Sequence, residues 1–376
     1  MIQKACEALQ VQEKHLAPFE TEDNFNNNIL RGFLCRVGDH RYGAIYLTHI
    51  NDIEEPQLIY ATPKLHYPFD SAGTYRFPPA KRVEVYEKLD GTNILAYRYN
   101  CKGQTYLTYK LRLTAVVRNS RFGPFLDFWR EMLKRYPDIP RLPEINDCNI
   151  SFELYGALNK HLILYKVPLD TAVLFGVDNK AEIIPPNMLN TLGVPIAPLY
   201  ARLEGAKDYQ REYQKNQADC EAMNRTTEDG TIEGTEGRVW YLQDIRNHIV
   251  MFKCKPESVE QIHWAAGGLS KNAVIATAYN LLETDEHLAY DKLKELLLEE
   301  YSEDAIERFR PHIEAVIHQI TEEMRFKEKI LEFYYKLDLD FQRDKNAVMR
   351  AFSQQYPKGL MRRIYSILSQ ELGKTQ

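Results

Sequence analysis

A short strand that runs into a lysine and a tight turn constrains this 376-residue chain more than any other stretch. The run from Val83 to Asn93 reads Val-Glu-Val-Tyr-Glu-Lys-Leu-Asp-Gly-Thr-Asn, and its alternation predicts a strand with two unlike faces. The alternation places the apolar side chains on one face: Val83, Val85 and Leu89. Lys88 and Asp90 then point the other way together, and Gly91 allows a sharp turn that passes close to a ligand.

A lysine in this setting acts as a nucleophile only if its pKa falls well below the free value of about 10.4, which takes desolvation or nearby cations. Such cations occur about 165 residues later, where alternation puts Lys253 and Lys255 on one face of a second strand. Two acidic residues between these strands, Glu153 and Glu236, each accompany an apolar run. Carboxylates, lysines and a glycine turn together are what a triphosphate with a divalent metal requires.

Composition narrows the setting of this candidate site. The net charge is −5, so nucleic-acid binding would have to depend on a local basic patch. The six cysteines show no metal-ligand spacing and indicate reduced thiols inside a cell. The N-terminus lacks an apolar signal core, and no run of about 18 apolar residues occurs. We therefore expect a cytoplasmic protein, or a nuclear one in a eukaryote, with no membrane partner.

The chain divides into a strand-rich part and a helical part. Short strand patterns punctuated by Gly, Pro and Asp continue as far as Lys255, after which apolar residues recur at spacings of three and four. We predict helices over 1–17, 125–136, 279–298, 327–337 and 346–370, with an apolar stripe from Ile306 to Met324. A chain of this length is expected to form two domains, which we place at 1–258 and 259–376.

Four motifs, in this order along the chain, resemble those of the covalent nucleotidyltransferases, the ligases and mRNA capping enzymes. They are Lys88-x-Asp90-Gly91, Phe152-Glu153, Glu236-Gly237-x-Val239 and Lys253-x-Lys255. The finer match is to ATP-dependent RNA ligases similar to that of the T-even bacteriophages. Further segments carry it: Phe152-Glu153 followed by Asn159, the upstream run 63–69 with Lys64, and Lys110-Leu111-Arg112. This resemblance implies an α+β fold, with an ATP-grasp-like nucleotidyltransferase domain of antiparallel sheets followed by an all-α domain.

The resemblance also implies a reaction. Lys88 attacks the α-phosphate of ATP and holds AMP covalently, the adenylate passes to an RNA 5′-phosphate, and an RNA 3′-hydroxyl displaces AMP. Lys253 and Lys255 clamp the α-phosphate, and Lys64 contacts the leaving pyrophosphate. The implied partners are ATP, Mg²⁺ or Mn²⁺, and RNA with 5′-phosphate and 3′-hydroxyl ends, in RNA repair or processing. Self-association through the C-terminal helices stays open.

The same resemblance assigns site residues. The catalytic set is Lys88, Asp90, Glu153, Glu236, Lys253 and Lys255, of which Asp90, Glu153 and Glu236 are the expected metal ligands. The nucleotide-binding set is Arg41, Lys64, Glu87, Lys88, Leu89, Gly91, Asn93, Lys110, Arg112, Glu153, Phe175, Val239, Lys253 and Lys255. Phe175 is expected to stack on the base. Arg41, in preference to Arg36, is expected to be the arginine that precedes Lys64.

Two alternatives stay open at this point. A capping guanylyltransferase or a DNA ligase shares the lysyl-nucleotide chemistry. Both normally append a β-barrel after the motif that corresponds to Lys253-x-Lys255, where this chain turns helical. A catalytically silent protein that binds RNA ends is the other alternative, against which the intact Lys88, Glu153, Glu236 and Lys253 argue.

Overall fold

A computed structural model describes most of the chain. The described residues are 1–70, 73–120, 123–159, 161–205, 208–227, 231–260, 269, 271–283, 287–298, 301 and 303–372.

The fold is α+β with antiparallel sheets, as predicted, and its strands precede most of its helices. The strands are β1 (Leu16–Glu22), β2 (Ile29–Cys35), β3 (Ile45–Ile50), β4 (Ile53–Ile59), β5 (Arg82–Glu87), β6 (Thr92–Cys101), β7 (Gln104–Leu111), β8 (Asn149–Tyr155), β9 (Asp170–Val177), β10 (Ile183–Ile184), β11 (Leu199–Glu204), β12 (Arg225–Thr226), β13 (Ile232–Glu233), β14 (Arg238–Gln243) and β15 (Ile249–Cys254). The helices are α1 (Ile2–Leu9), α2 (Phe125–Arg135), α3 (Leu142–Ile145), α4 (Tyr209–Met223), α5 (Glu257–Glu260), α6 (Lys271–Glu283), α7 (Tyr290–Leu297), α8 (Glu303–Arg308), α9 (Arg310–Tyr335), α10 (Lys345–Gln355) and α11 (Met361–Leu372).

Three larger antiparallel sheets and a two-stranded one, β12-β13, build the described strand-rich part. The first has the order β1-β2-β3-β4, the second β10-β9-β8-β6-β7 and the third β11-β5-β14-β15. The second sheet is covered on both faces, which explains why β6 reads as a continuous apolar run. Ile94 and Ala96 pack with α2, whereas Leu95 and Tyr97 pack against the first sheet.

The chain crosses from the third sheet to the second through the motif around Lys88. β5 ends at Glu87 and β6 begins at Thr92, so the turn between them joins the two sheets. A Cβ atom on Gly91 would lie 2.1 Å from the Leu154 carbonyl oxygen of β8, so only glycine fits there. Because the strand has already ended, Leu89 does not join Val83 and Val85 as predicted. It packs instead with Tyr86 in the core between the two sheets.

Every element described after Cys254 is a helix. Helices α6 to α9 share one apolar core, and α9 to α11 share a second. The division into domains at residue 258 stays a prediction. In the described part of the chain, no helix combines the length and the low charge needed to cross a membrane.

Several predicted helix bounds were wrong. The helix expected over 1–17 ends at Leu9, because Gln10 adopts a left-handed conformation and β1 follows. The stripe from Ile306 and the helix expected over 327–337 fall largely within one long helix, α9. The helix expected over 279–298 covers the end of α6 and all of α7, and the helix expected over 346–370 covers most of α10 and α11.

The close approach at residue 91 yields a stability prediction. Gly91→Ala should destabilise the protein by about 1–3 kcal/mol, because the added methyl group would displace the β8 backbone. Gly359→Ala is the matched control, since nothing lies within 4 Å of its added Cβ. Urea unfolding of both variants measures the difference, and equal stability of the two would contradict the prediction.

Candidate active site

A cavity lies where the second and third sheets meet, and Lys88 lines it. The strand-rich part contributes Tyr42, Lys64, Leu65, Lys88, Asp90, Gly91, Asn93, Leu111, Arg112, Leu113, Glu153, His161, Glu236, Lys253 and Lys255 to its wall. The cavity therefore gathers all six residues of the predicted catalytic set, although they lie on four separate segments of the chain.

Glu236 forms ion pairs with two lysines in this cavity. Its carboxylate lies 2.6 Å from the Lys88 ammonium and 3.2 Å from the Lys255 ammonium. Burial alone would raise the pKa of Glu236, but the two ammonium groups outweigh it and hold that pKa below its usual value. Lys88 is thus paired with a carboxylate that stays ionised at neutral pH.

The backbone around Gly237 brings Glu236 next to Lys88. The Lys88 main-chain N–H donates to the Gly237 carbonyl over 3.0 Å, although Lys88 itself lies beyond the end of β5. A Cβ atom on Gly237 would lie 2.2 Å from the Cys254 carbonyl oxygen, and its φ of +141° favours glycine. This glycine therefore allows β14 to start close to the end of β15.

Lys253 contributes a further ammonium group to the cavity, beside those of Lys88 and Lys255, and it is nearly buried. Only 5% of the residue is exposed, and its Nζ lies 4.4 Å from the centre of the Tyr67 ring. Its main-chain N–H donates to the His66 carbonyl, which ties β15 to the segment carrying Lys64. The Tyr67 ring face stabilises the ammonium group electrostatically without neutralising its charge.

Glu153 is the carboxylate with the least compensation. It is 7% exposed, and in the described part of the chain its carboxylate forms no hydrogen bond or ion pair. Burial raises the pKa of Glu153 to about 7, against the opposing effects of Lys88 and Arg112. Near neutral pH this carboxyl group is therefore poised between its protonated and ionised forms.

Asp90 is engaged by backbone rather than by a cation. Its Oδ2 accepts from the N–H groups of Leu162 and Ile163, both over 2.7 Å, and its own N–H donates to the Tyr165 hydroxyl. Asp90 thus anchors the loop after β8 to the turn that carries Lys88. Within the residues the structure describes, no group of three His, Cys, Asp or Glu side chains could hold a metal ion.

Two polar atoms at the cavity lack a protein partner. Asn93 donates through Nδ2 to Ser151 Oγ and to the Phe152 carbonyl, which leaves its buried Oδ1 without a donor. The buried Nε of Arg112 likewise has no acceptor among the described residues. A ligand that offers both a donor and an acceptor would satisfy these atoms.

Lys64 and Tyr42 form one side of the cavity. The Lys64 ammonium lies 5.4 Å from the centre of the Tyr42 ring, and the main-chain N–H of Lys64 donates to the Asp39 carbonyl. The turn before β3 and the segment that follows β4 are therefore joined at the cavity wall.

Lys110 does not reach the cavity, although it belongs to the predicted nucleotide-binding set. The residue is fully buried, and its Nζ donates to the carbonyls of Leu111 and Arg112 over 2.8 and 2.9 Å. Burial, with a smaller contribution from Arg112, lowers the pKa of Lys110 to about 7. The ammonium group lies behind the wall and holds the strand end that presents Arg112.

The remaining predicted binding residues also lie away from the cavity lining. Arg41 pairs with Asp39 and donates to the Leu9 and Gln10 carbonyls at the end of α1. Leu89, Phe175 and Val239 lie in the core between the second and third sheets, and Glu87 lies at the end of β5.

Sequence reasoning missed several lining residues. Tyr42 lies next to Arg41, and His161 lies two residues after Asn159, so both were near a motif but carried no signal of their own. The helical part also contributes to the wall, through Ala276, Thr277, Asn280, Leu296, Leu297 and Tyr301. No pattern in the sequence marks these positions, because they read as ordinary amphipathic helix.

No protein-family model matches the sequence, and neither does any curated protein. Among solved structures, the fold is similar to an archaeal ATP-dependent RNA ligase at 16% identity and a TM-score of 0.45, covering 88% of this chain and 82% of that one. It is similar to a putative ATP-dependent DNA ligase from Aquifex aeolicus at 14% identity and a TM-score of 0.45, covering 95% and 89%. A Naegleria gruberi RNA ligase with pyrophosphate matches at 15% identity and a TM-score of 0.34, covering 48% and 50%.

The buried Glu153 predicts a specific pH dependence of stability. Because folding raises its pKa from 4.5 to about 7, its contribution to stability is present below about pH 4.5 and is lost as the pH rises through 7. Glu153→Gln does not titrate, so its stability relative to the parent should increase between about pH 4.5 and 7 and then level off. Urea unfolding in EDTA across this range measures the difference.

Glu131→Gln is the control for this experiment, since the Glu131 side chain is 52% exposed. Its stability difference from the parent should stay flat over the same range. A flat difference for Glu153→Gln as well would contradict the burial argument.

Proposed function

We propose that this protein is an ATP-dependent RNA ligase that works through a covalent lysyl-AMP. The observation that carries the proposal is the Lys88 amine, 2.6 Å from the ionised Glu236 in a cavity lined by further cations. A solvated strand-end lysine would not need a buried carboxylate partner. Residues 1–258 would form the adenylyltransferase domain and residues 259–376 the helical domain.

The first step joins AMP to the enzyme. The Lys88 ammonium first gives up a proton to water. Its nitrogen then attacks the α-phosphorus of ATP, a phosphorus–nitrogen bond forms, the bond to pyrophosphate breaks, pyrophosphate leaves, and the nitrogen gives up a second proton to water. Glu236 orients the Lys88 amine, since its carboxylate holds the amine on one side of the cavity. The RNA 5′-phosphate then takes the adenylate from Lys88, and an RNA 3′-hydroxyl displaces AMP to form the phosphodiester.

The cations of the wall suit a polyphosphate. Lys253 and Lys255 flank the Lys88–Glu236 pair, and fixed positive groups best meet the charge that develops on phosphate oxygens. Lys64 and Arg112 extend the positive wall, and the unpartnered Arg112 Nε would donate to a phosphate oxygen. The unpartnered Asn93 Oδ1 would accept from a hydroxyl group of the ribose.

A divalent metal fits this donor set in part. Mg²⁺ usually keeps several waters and is bound through one or two carboxylates together with substrate phosphates, so three protein ligands are not required. Glu153, whose carboxylate has no partner in the described region, would hold Mg²⁺ or Mn²⁺. Asp90 and Glu236 already have protein partners and would lie beside the metal ion rather than bind it directly. When bound, the metal would neutralise charge on the phosphates.

Covalent labelling tests the first step. Wild-type protein incubated with labelled ATP and Mg²⁺ should carry an acid-resistant, SDS-stable label, and Lys88→Ala should lose at least about 99% of it because no other amine takes its place. Lys134→Ala, an exposed lysine on α2, is the control and should label like the parent. Label from GTP alone would indicate a capping enzyme instead.

No label with either nucleotide, in protein shown to be free of bound AMP, would leave only a silent end-binding protein. Strand joining tests the substrate. The labelled enzyme should seal RNA with 5′-phosphate and 3′-hydroxyl ends, and sealing of DNA ends alone would replace the RNA ligase by a DNA ligase.

A further inference from the structure

Arg238, the variable residue of the motif Glu236-Gly237-x-Val239, is a buried cation that the proposed chemistry does not use. The residue is 3% exposed and forms no ion pair with any described carboxylate. Its guanidinium stacks 4.5 Å from the centre of the Tyr200 ring. Burying an unpaired guanidinium is costly, so its hydrogen bonds need an explanation.

Those hydrogen bonds converge on the turn that holds Lys88. Arg238 Nη1 donates to the Gly237 carbonyl over 3.0 Å and to Thr235 Oγ1 over 2.9 Å. The Gly237 carbonyl is the same group that accepts the Lys88 main-chain N–H over 3.0 Å. Arg238 and Lys88 are thus linked through a single oxygen atom.

Thr235 completes the arrangement from the other side. Its hydroxyl lies 3.2 Å from both the Gly237 carbonyl oxygen and the Gly237 nitrogen. Asn224 in turn bonds both the N–H and the carbonyl of Thr235. The loop before β14 is therefore held at several backbone groups, and Arg238 supplies the charged donor among them.

We infer that Arg238 is a positioning residue for Lys88 and Glu236, which it fixes through the Gly237 carbonyl. This inference rests on the proposed function, because it assigns Arg238 to the geometry of the adenylation step. A hydrogen bond from a charged donor is roughly twice as strong as one between neutral groups, so this carbonyl is fixed more firmly than backbone bonding alone would fix it. Both hydrogen bonds come from Nη1 while the planar guanidinium stacks on the Tyr200 ring, and a lysine ammonium at the same position does not reproduce that stacked geometry.

Single-turnover adenylation of the full-length protein tests the inference. Arg238→Met and Arg238→Lys should both lower the maximal rate at least about tenfold while the ATP concentration for half-maximal rate changes less than about twofold, because Lys88 is misplaced and the phosphate wall is intact. Arg238→Met should lose more than Arg238→Lys.

Two further variants keep the test decisive if Arg238→Met fails to fold. Thr235→Val removes a second donor to the same carbonyl and should lower the maximal rate in the same way. Met223→Leu is the control, because Met223 is 53% exposed and its sulfur accepts a long hydrogen bond of 3.8 Å from Arg238 Nη2; this variant should adenylate like the parent.

Parental maximal rates in the Arg238 and Thr235 variants would overturn the inference. So would a loss confined to thermal stability, or an effect on ATP affinity alone. A parent protein that takes no label from ATP would instead refute the proposed function, so the two failures are distinguishable.

Discussion

The carboxylate of Glu236, held between the ammonium groups of Lys88 and Lys255, is the interaction on which the arrangement of the site depends. A buried carboxylate is tolerated only when it is well paired, and here the pairing partners follow β5 and β15 while Glu236 precedes β14. The three charges therefore fix the ends of three neighbouring strands relative to one another. Loss of either lysine would leave the buried Glu236 with one cation instead of two, which is more costly than loss of an exposed pair.

The predictable part of this site is the part encoded by short motifs. Alternation predicted that Lys253 and Lys255 share a face, and the cavity contains both together with Lys88, since all three lie at the ends of strands in the same sheet. Close backbone approach could also be predicted where the motifs require glycine. At Gly91 and Gly237 a side chain would collide with a carbonyl oxygen of a neighbouring strand.

Residue type alone could not predict which cations face the cavity. Lys110 and Arg112 are two residues apart, a spacing that would put them on one face of a strand, yet the lysine turns back onto two carbonyls while Arg112 lines the cavity. β7 ends at Leu111, so the strand period no longer fixes the direction of the next side chain. Arg41 does not line the cavity, because its guanidinium donates to the carbonyls at the end of α1. These segments are about 30 residues apart, so no local sequence pattern indicates the contact.

The helical wall of the cavity has a consequence for solvation. Helices α6 and α7, about 180 residues after Lys88, place apolar side chains such as Leu296 and Leu297 beside the charged cluster. These side chains lower the local dielectric, which strengthens each charge interaction in the cavity relative to the same pair in open water. Part of the apolar surroundings of the Lys88 amine is thus supplied by a part of the chain that carries none of the sequence motifs.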